Sequence, residues 1–410
     1  GLRMMFTERW LYDLDKFDET LYNRSDLKWI RTSYLMILQM AWDREYRDRF
    51  TGIEGFGKYL SDYNELFGHV DVWGIWPTWP RLGLDDRNQW DLYRDLPGGT
   101  AALRSLGRDA RSTGCRLFIA YNPWDKSTRE EDHLRGMAQI IEETEADGVV
   151  LDTEGRSSYE LQQAADTVRS GVVMYSEGMP VVKDMPGIVA ARVHNALYLS
   201  PELNLNKVIR PDFAIFRVAD VGEDILHREI SVAFFNGYGT ELNMFRPGGR
   251  GEEFRRDLAY LAQTTYMLRR NSDAFTGSNW TPLISSGADR VYVNSWSAGE
   301  KKVFTILNMD HRGYNGPLFS PGDTTGKHLV SVFRHEELSP QVINNTLMTP
   351  VSLPGWSQAF TGTRRESSID CVALMPVMIN AEFRGNAIRI TSYASGTLLA
   401  HPNTALVAQQ

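Results

Sequence analysis

Short apolar runs, each stopped by Gly, Asn, Asp or Pro, alternate with longer segments of helical period through the first two-thirds of the chain. SYLMILQMAWD opens the series and ends near Trp42, Asp43 and Arg44. VDVWGIWPTW, RLFIAYNPWD, GVVLD (Gly148–Asp152), GVVMYSEGMP and DFAIFRVAD follow as the second to sixth runs. GTELNMF reads as a seventh, and WTPLISS at 280–286 is the place for an eighth. Helical patterns fall between them at 53–67, 99–112, 127–145, 157–169 and 223–235, and EEFRRDLAYLAQTTYMLRR is strongly amphipathic. Residues 180–211 read as a longer helix-and-loop passage.

Runs that are apolar on both faces belong to a parallel sheet covered by helices. Their alternation with helices predicts parallel pairing through right-handed crossovers. The fold class expected is α/β: a (β/α)8 TIM barrel over residues 31–287, preceded by an irregular lead-in at 1–30. A doubly wound sheet would fit the alternation too. It would place a nucleotide or similar ligand at its switch point, and neither GxGxxG nor GxxxxGK[ST] follows the first run. From residue 288 the texture changes. RVYVNSW, KKVFTILNM, KHLVSVFR, CVALMPVMI and AIRITSY are short alternating runs split by turn residues, which predicts a C-terminal antiparallel β-sandwich over 288–410.

The polar residues cluster at the C-terminal ends of the apolar runs, the end that carries chemistry in a barrel. Asp152 and Glu154 close the fourth run, and Glu177 closes the fifth. Trp42 and Asp43 end the first, Trp76 and Trp79 the second, Asn122, Trp124 and Asp125 the third, and Arg217 and Asp220 the sixth. A barrel converges these on one pocket. Paired carboxyl groups among tryptophans suit glycosidic cleavage: one carboxylate stabilises or traps C1, a second carboxyl protonates the leaving oxygen, and flat indole faces meet the sugar's C–H surface. Each residue also has a plainer reading. Glu154 is expected to cap the next helix or steady Asp152, Asp125 to serve equally well as an N-cap, and the tryptophans to pack in the core or rim.

Composition narrows the partners. The 410 residues are 42% hydrophobic, enough for a barrel and a second domain, and the net charge of −8 with no basic stripe argues against nucleic acid. No apolar segment approaches a bilayer span. Cys115 and Cys371 lie far apart, with neither HExxH nor paired CxxC, so two buried thiols are expected and no metal or other cofactor. An oligosaccharide or polysaccharide is the partner these features suggest, and such a substrate would favour an exported protein.

The segment PGGTAALRSLGRDARSTGCRLFIAYNPW resembles the second helix and third strand of α-galactosidase-like barrels, glycoside hydrolase families 27 and 36. That resemblance implies Asp152 in VVLD as nucleophile, Glu177 in VVMYSEGMP as a sugar ligand, and a sixth strand whose Arg217 and Asp220 supply a sugar contact and the acid/base. Val150 stands where those families carry Lys. Chain order is also similar to α-amylase-like barrels, which implies Asp152 as nucleophile and Glu177 as acid/base. The expected function is therefore a retaining α-glycosidase with Asp152 as nucleophile and Asp220 or Glu177 as acid/base. The alternative is a glycan-binding protein on a degenerate barrel, a reading motivated by Val150.

Overall fold

A computed structural model describes residues 13–41, 53–78, 82–125, 132–155, 159–194, 204–221, 226–244, 252–355 and 367–393. Eight parallel strands close into a barrel in chain order: β1 (Leu35–Met40), β2 (Val72–Trp76), β3 (Arg116–Tyr121), β4 (Gly148–Leu151), β5 (Val173–Ser176), β6 (Ala190–Val193), β7 (Ala214–Asp220) and β8 (Gly239–Asn243). β8 returns to pair with β1, which removes both sheet edges.

Two expectations are corrected. The passage at 180–211 contains β6, so DFAIFRVAD is the seventh strand and GTELNMF the eighth. WTPLISS is not a barrel strand, because Trp280–Thr281 pairs antiparallel with Val291–Ala298 in the C-terminal region. The sixth-strand assignment of Arg217 and Asp220 therefore falls as well.

Alternation along each strand sorts side chains into two layers. Phe118, Tyr175 and Phe216 face inward and meet edge to face, with ring centroids 6.3 Å and 5.7 Å apart. Gly148 and Gly239 lie beside two of these rings. A Cβ on Gly148 would come within 2.2 Å of the Phe118 ring, and one on Gly239 within 2.7 Å of Phe216. Outward residues pack on the helices: Trp73 is fully buried against Phe56, Tyr59 and Tyr63 of α1 (Ile53–Phe67). Burial of one such ring contributes about 2–3 kcal/mol.

The N-terminal face is held by two aspartates used in the same way. Asp71, just before β2, accepts from the backbone N–H of Leu35 at 2.8 Å, and Asp147, just before β4, accepts from that of Leu117 at 3.0 Å. Arg269 pairs with Asp71, while Arg111 and Arg169 pair with Asp147. Each carboxylate thus starts the preceding strand and ties it to the helical layer.

The chain divides into two compact units between Ser272 and Asp273. The second holds a six-stranded antiparallel sheet and a three-stranded sheet, with Val291, Val293, Phe304 and Ile306 of the first and Leu318, Phe319, Val351 and Leu353 of the second in one core. Residues 273–287 belong to this unit rather than to the barrel. Cys115 and Cys371 are both free and buried.

Candidate active site

At the C-terminal end of the barrel the inward register brings Trp76, Asn122, Asp152, Glu177, His194, Asp220 and Asn243 to consecutive strand ends. Asp152 follows β4 directly and is only 7% exposed. Its Oδ2 accepts from Asn122 Nδ2 at 2.5 Å and from Trp124 Nε1 at 3.1 Å. Trp124 is itself exposed, so its ring presents a face to solvent while its N–H grips the carboxylate.

Glu177 follows Ser176, the register partner of Leu151, so its carboxyl lies beside that of Asp152, close enough for each to alter the other's proton affinity. Its backbone N–H donates to the carbonyls of Leu151 and Glu154, both at 3.2 Å, and its carboxylate accepts from the Thr153 N–H. That last bond requires an uncommon backbone: Thr153 has φ 56°, a left-handed conformation that a β-branched residue seldom adopts. Arg192 Nη2 lies 3.0 Å and His194 Nε2 3.5 Å from Glu177 Oε1.

The two carboxyls differ in proton affinity. Burial, then the hydrogen bond and negative charge of Glu177, push Asp152 up to about 6. Burial would raise Glu177 too, but His194, Arg192, Asp152 and the Thr153 N–H outweigh it and hold Glu177 well below the usual carboxylate range. Two such neighbours cannot both ionise freely, and their surroundings push the two in opposite directions.

Arg192 is nearly fully buried and also reaches Glu241 Oε1 at 3.0 Å, in the barrel centre, where Glu241 accepts from the Tyr175 hydroxyl at 2.6 Å. The Trp76 ring lies 5.7 Å from its guanidinium carbon. Neither Arg192 nor His194 was anticipated. A signal was present: Pro186 and Gly187 punctuate the chain just before the apolar run Ile188–Ala191.

Of the other anticipated residues, Asp220 shares the inward face of β7 with Phe216 and pairs in register with Asn243. Arg217 does not reach this site. It is on the opposite face of β7, fully buried and ion-paired with Glu229 of the helix Leu226–Phe235. Asp125 is buried too, and its Oδ2 accepts from the Gln89 N–H at 2.9 Å, at the start of the helix Gln89–Arg94. Gln89 in turn exchanges two hydrogen bonds with the Asn122 backbone, so Asp125 steadies Asn122. Glu154 supplies the carbonyl that receives Glu177. Trp42, Asp43, Arg44 and Trp79 lie outside the described residues. Among the described residues no group of three His, Cys, Asp or Glu is placed to hold a metal ion, and no helix is long and apolar enough to cross a membrane.

No protein-family model and no curated protein matches the chain. Solved structures do. It is similar to a maltogenic α-amylase from Thermotoga neapolitana (TM-score 0.56, 13% identity, 84% of this chain and 99% of that one). It is also similar to the α-amylase of Geobacillus thermoleovorans in complex with acarbose (0.56, 12%, 84% and 98%). A third match is an Anoxybacillus α-amylase (0.57, 10%, 85% and 98%). At such identities the likeness establishes the fold, a barrel with a C-terminal β domain. These neighbours are α-amylases, and they lend no support to the narrower α-galactosidase-like resemblance.

Proposed function

We propose that the protein is a retaining glycoside hydrolase acting on α-glycosides, with Asp152 as nucleophile and Glu177 as acid/base. The observation that carries this is the adjacency of the two carboxyl groups at neighbouring strand ends in the barrel mouth, where each shifts the other's proton affinity. An inverting pair stands about 6.5–9.5 Å apart to admit a water and a retaining pair about 5–5.5 Å; carboxyls close enough to perturb each other's protons leave little room for that water, which supports retention. The α-amylase neighbours, one of them named as an acarbose complex, support an α-glucan-type substrate.

In the proposed reaction a sugar enters against Trp124, and the shared proton passes from Asp152 to Glu177. The Asp152 carboxylate then forms a bond to C1 as the C1–O bond breaks, and Glu177 protonates the departing oxygen. Water next attacks C1, returning Asp152 as carboxylate and its own proton to Glu177. A second reading has support in the site. Arg192 and His194 favour Glu177 as a fixed anion, which would pass the acid's role to Asp220.

Hydrolysis of aryl α-glycosides by Asp152→Ala, Glu177→Gln and Asp220→Asn tests both. The Asp152 variant is expected to lose about 10³-fold or more. The acid/base variant is the one spared on dinitrophenyl glycosides, whose leaving group needs no proton, and rescued by azide. If Asp220→Asn behaves so and Glu177→Gln does not, the second reading replaces the first. A wild type that binds maltooligosaccharides or acarbose without turnover between about pH 4 and 8 would instead be a glycan-binding protein.

A further inference from the structure

Position 150, below Asp152 on β4, is a buried valine, and the cation paired with Glu177 is Arg192 of β6. We infer that Arg192, reaching the mouth from β6 through the barrel centre, is the positioning residue that holds Glu177 in place beside Asp152. This rests on the reading of that pair as the reacting groups, and it adds a residue from the strand next to that of Glu177 that touches neither C1 nor the leaving oxygen in the proposed reaction.

The geometry is that of a fork. One Nη of Arg192 is 3.0 Å from Glu177 and the other 3.0 Å from Glu241, and both carboxylates are drawn to one planar group. Glu241 is anchored in turn by the Tyr175 hydroxyl, so the orientation of the guanidinium is set from below, inside a packed core. Trp76 borders the guanidinium; among the described residues the polar and charged groups on this side are Asp152, Asn122 and Trp124 from β3–β4, the Thr153 N–H and His194 from β6, with Asp220 and Asn243 at the ends of β7 and β8. His194 is half exposed and farther from Glu177 than Arg192 is; among the described residues Arg192 is the permanent cation paired with it.

The cation has a direct chemical consequence. A fixed positive charge beside Glu177 weakens the pair's hold on its shared proton, so removing it makes that proton harder to lose. Deleting Arg192 alone would strand Glu241 in the core and risk unfolding. The decisive variant is therefore Arg192→Met with Glu241→Gln, which removes both charges and leaves Tyr175 a partner.

Carbon-13 carboxyl titration of the full chain, with Asp152→Asn and Glu177→Gln used for assignment, reads the pair without requiring turnover. In the folded double variant the midpoint for loss of the shared proton is expected to rise by about one pH unit. In an active enzyme the alkaline limb of kcat/KM rises with it. Arg192→Lys keeps the charge but loses the fork, and is expected to shift the midpoint part of the way and to lower kcat more than it raises KM. A folded double variant titrating as wild type does, or a Lys variant identical to wild type in titration and kcat, overturns the inference. Absence of glycosidase activity in the wild type would count against the proposed function instead, and the titration would still decide the role of Arg192.

Discussion

Asp147 and Asp152 flank the same four-residue strand, β4, and their surroundings are opposite. Asp147, at the N-terminal face, is ringed by Arg111, Arg116 and Arg169 and accepts the Leu117 N–H. Asp152, at the other end, shares its space with a second carboxyl. One carboxylate is stabilised by the fold, while the other is kept at a cost to it. Asp147→Asn is accordingly expected to lower stability by about 1–2 kcal/mol, through loss of charge-assisted bonds to partly exposed arginines, one of which keeps Glu145 as a partner, with kcat unchanged in the protein that remains folded. Denaturant unfolding and steady-state kinetics on the same preparation check this.

Asp152→Asn should move stability the other way. Its folded-state value, about 6, lies above the unfolded carboxyl's 3.8, so the native state binds more protons between those values. Stability therefore falls as pH rises through that window, by about 1–3 kcal/mol after allowance for the opposite contribution of Glu177. The Asn variant is expected to have a higher Tm than wild type near pH 8 and no such advantage near pH 4. A variant less stable than wild type near pH 8 would refute this account of the pair.

Thr153 separates the backbone's needs from the side chain's. Its left-handed φ aims an N–H at Glu177. Thr153→Gly keeps that N–H, relieves the strain, and is expected to change stability by no more than about 1 kcal/mol, with activity retained. Thr153→Pro removes the donor and cannot reach the conformation, so a loss of about 3 kcal/mol or more and of activity is expected. Equal behaviour of the two variants in thermal melts would show that the N–H does not matter.

Trp124 has two functions that substitution can divide. Trp124→Phe keeps a ring for the sugar but removes the 3.1 Å hydrogen bond that lowers Asp152's proton affinity. Its alkaline limb in kcat/KM is expected above that of wild type. Trp124→Ala loses the stacking face as well, and its KM should rise by about tenfold or more. A KM unchanged by the Ala substitution would place the substrate elsewhere.

Arg217 provides the contrast. Its charge is committed to Glu229, which Arg228 also holds at 2.8 Å. Arg217→Met is expected to destabilise the fold by about 3–5 kcal/mol while leaving the KM of the folded fraction unchanged. A raised KM with unaltered stability would return Arg217 to the substrate pocket.

Much of this architecture could be read along the chain, because a strand buried on both faces must be apolar and must stop where polarity begins. Asp152 and Glu177 were legible for that reason: each follows a short apolar run directly. β6 was not, since its four residues include Arg192, and a charged residue in mid-strand makes sense only once Glu177 and Glu241, distant in sequence, are seen to receive it. Missing β6 shifted the numbering of every later strand and sent the search for an eighth to 280–286.

Periodicity and punctuation by themselves determined a repeated alternation of buried strands and helices, seven of whose eight strands were located, an appended β domain and a set of strand-end carboxylates. Only the closed barrel decided which of those residues face one another. Strand alternation turned Arg217 outward and Asp220 inward although they are three residues apart. Parallel pairing brought an arginine from the sixth strand beside a glutamate from the fifth, next to an aspartate from the fourth, and the curling of the sheet into a barrel set Glu241 of the eighth on the arginine's other side. Electrostatic interactions fall off with distance in space and take no account of separation along the chain, so the charge balance of this site came into being only with the tertiary fold.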